Sequence, residues 1–134
     1  KLLLADSRMD PSTRHNEAFC AACSNGHTEI LSSFLKDSRV NPGASNDLAI
    51  REASCRGYAD IVSLLLADNR VNPAIWDNMP LKDACGGISA QGNFEVVKLL
   101  LADERVIRAG LSDAMRIAKF WSNTEIYDLL ITFL

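Results

Sequence analysis

The apolar positions of the chain follow a pattern that recurs along its length. The pattern is a run of large apolar residues, an Asp-x-Arg triplet and then a branched or flexible apolar residue. It occurs in residues 2–11, 34–42, 64–73 and 99–106. The step from Pro11 to Pro42 and the step from Pro42 to Pro73 are both 31 residues. A fixed period of this length predicts a stack of one supersecondary unit in place of a single globular core.

A second recurring block, with helical spacing, lies between the apolar runs. In residues 47–66, apolar side chains recur at helical intervals both before and after Gly57. This spacing predicts two short antiparallel helices joined by a tight turn at Gly57. The same turn is expected at Gly26 and Gly92, because glycine adopts the left-handed backbone without strain. The Asn-Pro pairs that follow the second helix favour a turn and predict a short extended finger.

Two sets of polar residues keep the same place in each unit. The first set begins the first helix, where a side-chain oxygen is expected to cap the first turn. It consists of Asn16, Asp47, Asn78 and Ser112. The second set follows the second helix, where a cation suits the negative end of the helix dipole. It consists of the pairs Asp6–Arg8, Asp37–Arg39, Asp68–Arg70 and Asp103–Arg105. We interpret this charged ladder as structural.

Several positions of the unit match a known repeat. Residues 25–31 and 57–66 match a glycine turn followed by a branched pair and leucines, and Val40-Asn41 matches a finger. The repeat's first-helix alanine is matched by Ala22, Ala53, Ala84 and Ala118. The chain thus resembles the ankyrin repeat family. The resemblance implies an all-α, ankyrin-type solenoid of stacked helix-turn-helix repeats with short extended or hairpin fingers. The family's histidine position departs from the pattern and holds Cys20, Arg51, Lys82 and Arg116.

The resemblance covers essentially the whole chain, and we expect residues 1–134 to form one domain. Its divisions are a partial repeat at 1–11, repeats at about 12–42, 43–73 and 74–108, and a C-terminal cap at 109–134. The incomplete first unit predicts a preceding repeat that is present in a parent protein or was trimmed away. Four residues are added near positions 86–89. They form either a tolerated loop insertion or a protrusion that contacts a partner.

The composition argues against several classes of function. With 48% hydrophobic residues the chain can fill a core, and its net charge of -3 gives no footprint for nucleic acid or an anionic membrane. Its apolar runs are too short to span a bilayer, and no secretion signal is visible. The four cysteines fall at helix positions that other units fill differently. This favours reduced thiols over a disulfide framework, and hence a cytoplasmic or nuclear location.

Catalytic and metal-binding patterns are weak. The constellation with metal-ligand character is His15, Cys20, Cys23 and His27. The predicted helix between the two histidines has about ten residues and is roughly 15 Å long. One zinc ion with bonds of ~2.0–2.3 Å cannot reach both of its ends. No glycine-rich phosphate loop, nucleophile elbow or His-Glu-x-x-His motif occurs. We therefore expect no metal, no cofactor and no enzymatic activity.

The resemblance implies that a partner protein binds the concave face, formed by finger tips and the exposed side of the first helices. The candidate contact residues are Arg14, Arg51, Arg56, Ile75, Trp76, Asn78, Phe120 and Trp121. The repeat does not require a tryptophan at a finger tip, so Trp76 is either a binding anchor or a side chain folded onto an adjacent finger. The arginines form either a positive strip that favours an acidic partner or a solvated rim. Phe120 and Trp121 either contact the partner or seal the core of the last unit.

Together these observations predict a non-catalytic protein-interaction module, an adaptor, scaffold or targeting arm that acts as a monomer. The alternative is a regulatory or substrate-recognition segment of a larger enzyme or channel whose catalytic or transport part is absent from this chain. The incomplete first unit favours the alternative, since it predicts that a further segment precedes Lys1.

Overall fold

The computed structural model describes residues 11–86, 92–106 and 110–133, and within these ranges it contains eight helices and no strand. The helices are α1 (Pro11–Ser24), α2 (Thr28–Leu35), α3 (Ala44–Arg56), α4 (Ala59–Leu66), α5 (Ile75–Cys85), α6 (Gly92–Ala102), α7 (Leu111–Phe120) and α8 (Thr124–Ile131). The predicted all-α class is confirmed over these residues.

The helices form two rows. In the first row α1, α3, α5 and α7 contact one another in sequence, and in the second row α2, α4, α6 and α8 do the same. Each helix of the first row also contacts the helix that follows it in the chain. Each helix pair therefore packs against its neighbouring pairs. The core lies between the rows and includes the fully buried Phe19, Ile50, Leu65, Leu81 and Leu100.

Alanine side chains allow the first-row helices to approach closely. Ala53, Ala84 and Ala118 have no exposed surface, and Ala22 is 6% exposed. These alanines occupy one equivalent position in α1, α3, α5 and α7. Because protein interiors are densely packed, a larger side chain at this position would push neighbouring helices apart.

Two of the predicted tight turns are confirmed. Gly26 and Gly57 have φ values of 75° and 76°, in the left-handed region that strains most side chains. In the last pair Ser122 adopts the same conformation, with a φ of 57°. Gly92 is the first residue of α6, and the residues before it lie outside the described ranges, so the turn expected there stays a prediction. Apart from Gly86, the predicted insertion lies outside the described residues.

Two of the predicted N-caps, Asn16 and Asp47, make a different hydrogen bond from the expected one. Asn16 Oδ1 instead accepts the backbone N–H of Asn41 at 2.6 Å, and Asp47 Oδ1 accepts that of Asn72 at 2.9 Å. Each bond joins the first helix of a pair to the turn that leaves the same pair, 25 residues later. The fourth predicted cap, Ser112, is an exposed residue within α7.

The extended fingers predicted after α2 and α4 are wrong. Asn41 Oδ1 accepts the N–H of Gly43 and Asn72 Oδ1 accepts that of Ala74, both at 3.0 Å. These side chains close the backbone into a turn directly after the second helix, which leaves no extended segment. Each turn is followed by three consecutive residues in the left-handed region, with φ between 52° and 64°. These are residues 45–47 and 76–78.

The Asp-x-Arg ladder is confirmed as a row of ion pairs. In each described case, the arginine Nε and Nη2 donate to the two carboxylate oxygens of the aspartate two residues earlier. The pairs are Asp37–Arg39, Asp68–Arg70 and Asp103–Arg105. These hydrogen bonds lower the pKa of each aspartate, that of Asp37 to about 2. Asp6 and Arg8 lie outside the described residues.

Candidate functional site

Trp76 lies at the start of α5 and is 54% exposed. Its φ of 52° is in the left-handed region, which is strained for a bulky residue. Asp77 and Asn78 continue this left-handed turn. Strained backbone of this kind persists only where surrounding contacts hold it, and it concentrates at functional sites. Exposure and strained backbone together make Trp76 a candidate binding residue.

The Trp76 ring stacks on a guanidinium from the neighbouring first-row helix. Arg51 Cζ, on α3, lies 4.7 Å from the ring centroid. A cation–π contact contributes about 0.5–1 kcal/mol at an exposed site. The structure thus combines the two alternatives for Trp76, because one face of the ring contacts the adjacent unit while more than half of the residue remains open to solvent.

Arg51 is itself fixed by main-chain oxygens. Its Nε donates to Asn46 O at 3.0 Å, and its Nη2 donates to Ser45 O at 3.4 Å. Both carbonyls belong to the left-handed turn at the start of α3. Among the described residues, no carboxylate lies within salt-bridge distance of Arg51. The guanidinium is therefore held in place and can still pair with a carboxylate from outside the chain.

Lys82 on α5 and Arg116 on α7 occupy the position of Arg51 in their helices, and both have carboxylates within salt-bridge distance. Lys82 Nζ lies 3.9 Å from Asp77 Oδ2 and 4.0 Å from Asp113 Oδ2. Arg116 donates through Nη1 and Nη2 to Asp113 Oδ1, at 2.8 Å and 2.6 Å. The row formed by Arg51, Lys82 and Arg116 therefore has mixed charge. Its cation without a carboxylate within salt-bridge distance, among the described residues, is Arg51.

Asp83, on α5, is a titratable residue of this face that the sequence did not single out. Burial raises its pKa to about 6, Arg51 opposes the increase, and Glu52 adds to it. The carboxyl therefore changes its charge near pH 6, within the electrostatic influence of the guanidinium that supports Trp76. No sequence signal identifies it, because an aspartate in the middle of an amphipathic helix is common on solvated surfaces.

Ile75 and Asn78, close to Trp76 in the chain, differ in how accessible they are to a partner. Ile75 is half-buried at the first position of α5, directly before Trp76 in the chain. Asn78 is fully buried. A Cβ atom at Gly110 would lie only 2.7 Å from Asn78 Nδ2, so the backbone of the next unit covers it. The prediction that Asn78 contacts a partner is wrong, because its side chain has no accessible surface.

Arg56 is not brought to the Trp76 surface. It follows Arg51 by five residues on α3, which rotates it by roughly 140° around the helix. Its Nε donates to Glu52 Oε1 at 3.0 Å, and the residue is exposed near the end of the helix. The side chain of Arg14, the remaining basic candidate, lies outside the described residues.

Phe120 and Trp121 form a second exposed patch at the end of α7. They are 77% and 62% exposed, and their rings meet edge to face with centroids 5.4 Å apart. Trp121 lies against the end of α5, where a Cβ atom at Gly86 would approach its Nε1 to 3.2 Å. High exposure shows that these rings do not mainly seal the core. Trp76 lies at the opposite end of α5, a helix on the order of 10 Å long beyond its left-handed turn, so the two patches are separate.

The candidate metal ligands are spread over α1 and the start of α2. Burial raises the pKa of Cys23 to about 12, which disfavours the metal-binding thiolate, and Cys20 is half-buried on the same helix. His15 Nε2 lies 4.0 Å from Asp37 Oδ2, and His27 is exposed directly before α2. Within the described part of the chain, no three potential ligands come together around a metal position. All four cysteines are free thiols.

The helices also bear on membrane insertion. No helix in the described ranges is long and apolar enough to cross a bilayer. The longest of them, α1, has 14 residues, whereas a spanning helix needs about 20 apolar residues.

Three comparisons with known proteins found no match. No protein-family model matches the chain, and neither a curated protein nor a solved structure shows detectable similarity to it.

Proposed function

We propose that this chain is an ankyrin-like protein-interaction module without catalytic activity. The 31-residue sequence period, the two rows of paired helices and the left-handed turns at Gly26 and Gly57 support this architecture. In the proposal, residues 1–134 form one domain of stacked repeats that acts as a monomer. Stacked repeats provide an extended surface, which is the feature that such proteins use for binding.

The proposed contact surface is centred on the Trp76–Arg51 pair. Tryptophan and arginine are among the residue types most enriched at binding hot spots. The ring rests on the guanidinium, and main-chain carbonyls hold the guanidinium, so both groups are oriented before a partner arrives. Preorganisation of this kind reduces the entropy that association costs. The exposed tryptophan in a strained left-handed turn is the observation that carries the proposal.

The chemistry of the surface indicates the kind of partner. Arg51 suits a carboxylate, because a guanidinium can donate two parallel hydrogen bonds to it. Trp76 and the exposed part of Ile75 suit an apolar side chain beside that carboxylate. We therefore propose a partner protein with an acidic residue next to an apolar one. The four free cysteines suit a reducing cytoplasmic or nuclear compartment.

A comparison of two tryptophan variants tests the proposal. Affinity capture from the native host identifies the partner, and calorimetry with the purified partner then measures binding to wild type and to Trp76→Ala. We expect Trp76→Ala to weaken binding by roughly 2 kcal/mol, which is about 30-fold in Kd. The melting temperature should change little, because the ring is exposed.

Trp121→Ala is the matched control, since Trp121 is a similarly exposed tryptophan that follows α7 and lies against the other end of α5. It should bind the partner as wild type does. Equal affinity of wild type and Trp76→Ala would remove Trp76 from the binding surface. A loss confined to Trp121→Ala would place the contact at the second aromatic patch instead.

A further inference from the structure

Asp83 is a half-buried carboxyl beside the Trp76–Arg51 surface. It occupies in α5 the position that Glu52 occupies in α3, 31 residues earlier. Arg51 precedes Glu52 directly in the chain. The helices α3 and α5 pack against each other, and the axes of packed helices are about 8–10 Å apart. Asp83 is therefore a neighbour of both Arg51 and Glu52 across the contact between the two helices.

Three helices pack against α5, and each of them carries charged side chains. These are Asp47, Arg51, Glu52 and Arg56 on α3, Glu95 and Lys98 on α6, and Asp113, Arg116 and Lys119 on α7. The charges that act on Asp83 are those of Arg51 and Glu52, together with Lys82 on α5 itself. Arg51 has the largest electrostatic effect of the three. Asp83 and Arg51 therefore influence each other across the helix contact.

The interaction of Asp83 with Arg51 works in both directions. Arg51 favours the ionised form of Asp83, and the ionised Asp83 lowers the positive potential at Arg51 by the same amount. A carboxylate from a partner would share Arg51 with Asp83, and two carboxylates beside one cation repel each other. Main-chain carbonyls hold the guanidinium, so Arg51 stays in place when Asp83 changes its charge.

The carboxyl of Asp83 and that of a partner take up protons in different pH ranges. Burial raises the pKa of Asp83 to about 6, whereas an exposed aspartate or glutamate of a partner has a pKa of about 4. At about pH 5, Asp83 is mostly neutral and the partner carboxylate is mostly ionised. The repulsion is then removed while the attraction between the partner and Arg51 remains.

We propose that Asp83 regulates the Trp76–Arg51 surface, in that its negative charge weakens the binding of an acidic partner and its protonation strengthens that binding. The inference rests on the proposed function, because it requires that this surface binds a carboxylate. Affinity should then rise as the pH falls from 7.5 to 5.0. Protonation of the partner carboxylate alone would produce the opposite trend, so the sign of the pH dependence is diagnostic.

A peptide titration at two pH values tests the proposal. The probe is the blocked hexapeptide Gly-Gly-Asp-Leu-Gly-Gly, which places an acidic residue next to an apolar one. It is added to the isotope-labelled 134-residue chain while amide chemical shifts are followed. We expect Kd to be about fivefold lower at pH 5.0 than at pH 7.5. The same peptide with asparagine in place of aspartate should show no such change, since it carries no charge to be repelled.

Two aspartate variants assign the effect to one carboxyl. Asp83→Asn keeps the shape of the protonated side chain, so it should bind the probe at pH 7.5 as tightly as wild type does at pH 5.0. It also controls for every other group that titrates in this range. Asp60→Asn removes the same charge from an exposed position of α4, in the second row, and should behave as wild type.

The outcomes separate this inference from the proposed function. Binding that is lost in Trp76→Ala but has equal affinity in wild type and Asp83→Asn at pH 7.5 overturns the inference alone. An affinity of wild type that falls towards pH 5.0, or an equal gain in Asp60→Asn, also overturns it. No shifts at millimolar probe, or binding that Trp76→Ala leaves unchanged, overturns the inference together with the proposed carboxylate surface.

Discussion

Removing the guanidinium of Arg105 should destabilise the fold much more than removing an ordinary surface charge. Arg105→Met keeps most of the apolar stem but loses the hydrogen bonds to Val71 O and Leu66 O and both bonds to Asp103. Hydrogen bonds to charged groups contribute about 1.5–3 kcal/mol each. The Arg105 side chain is 34% exposed, so water replaces part of the loss. We expect the free energy of unfolding to fall by about 3 kcal/mol.

The same substitution at two other ladder positions provides matched controls. The Arg70 side chain is 40% exposed, and its bond to Leu35 O is longer, at 3.3 Å. Arg39 is 54% exposed, and its described hydrogen bonds all go to Asp37, two residues away. The loss of stability should therefore decrease from Arg105→Met to Arg70→Met to Arg39→Met.

Urea denaturation followed by circular dichroism measures this order. A small protein has a urea m-value of about 1–3 kcal/mol per molar, so a loss of 3 kcal/mol moves the midpoint by roughly 1.5 M. Equal midpoints for the three variants, or a change below about 0.5 kcal/mol for Arg105→Met, would refute the reasoning. The arginines would then be surface ion pairs only, and the bonds between helix pairs would contribute nothing measurable.

Two further predictions concern the first row of helices. Ala53→Leu should reduce the free energy of unfolding by about 1–3 kcal/mol, because Ala53 is fully buried between neighbouring helices; an unchanged denaturant midpoint would show that the helices do not approach closely there. Asp83 has a folded pKa raised to about 6 from 3.8. Wild type should therefore gain stability relative to Asp83→Asn as the pH falls through 6 towards 3.8. Unfolding free energies of both proteins between pH 7.5 and 4.5 check the sign, and parallel curves would contradict the assignment.

The elements that the sequence predicted correctly depend on neighbouring residues along the chain. The helix pairs follow from apolar side chains at helical spacing on either side of Gly57. The turns at Gly26 and Gly57 follow from the backbone freedom of glycine. The pairing within Asp103–Arg105 needs only two residues of separation. Such signals depend on residues that are close together in the sequence, so the packing of the rest of the chain does not change them.

The wrong predictions have a common cause. The oxygen of Asp47 was expected to cap its own helix, but it accepts a hydrogen bond from Asn72, 25 residues later. The finger was expected to be extended, but the Asn41 side chain closes it into a turn. Asn78 was expected at the surface, but the backbone of the next unit covers it. In each case a polar side chain had several possible partners, and a sequence does not rank partners that only folding brings near.

The candidate site was also only partly predictable from the sequence. Trp76 stands out in the sequence as a tryptophan that the repeat does not need. Its partner Arg51 and the raised pKa of Asp83 depend on how α3 and α5 pack side by side.

The sequence by itself therefore determined that this chain forms short paired helices, because helical periodicity and glycine turns are properties of adjacent residues. The tertiary structure decided which polar groups join one pair to the next, through hydrogen bonds between residues 30 to 39 positions apart. Those bonds require donors and acceptors to be brought within about 3 Å of each other. Only the stacking of the helix pairs achieves that.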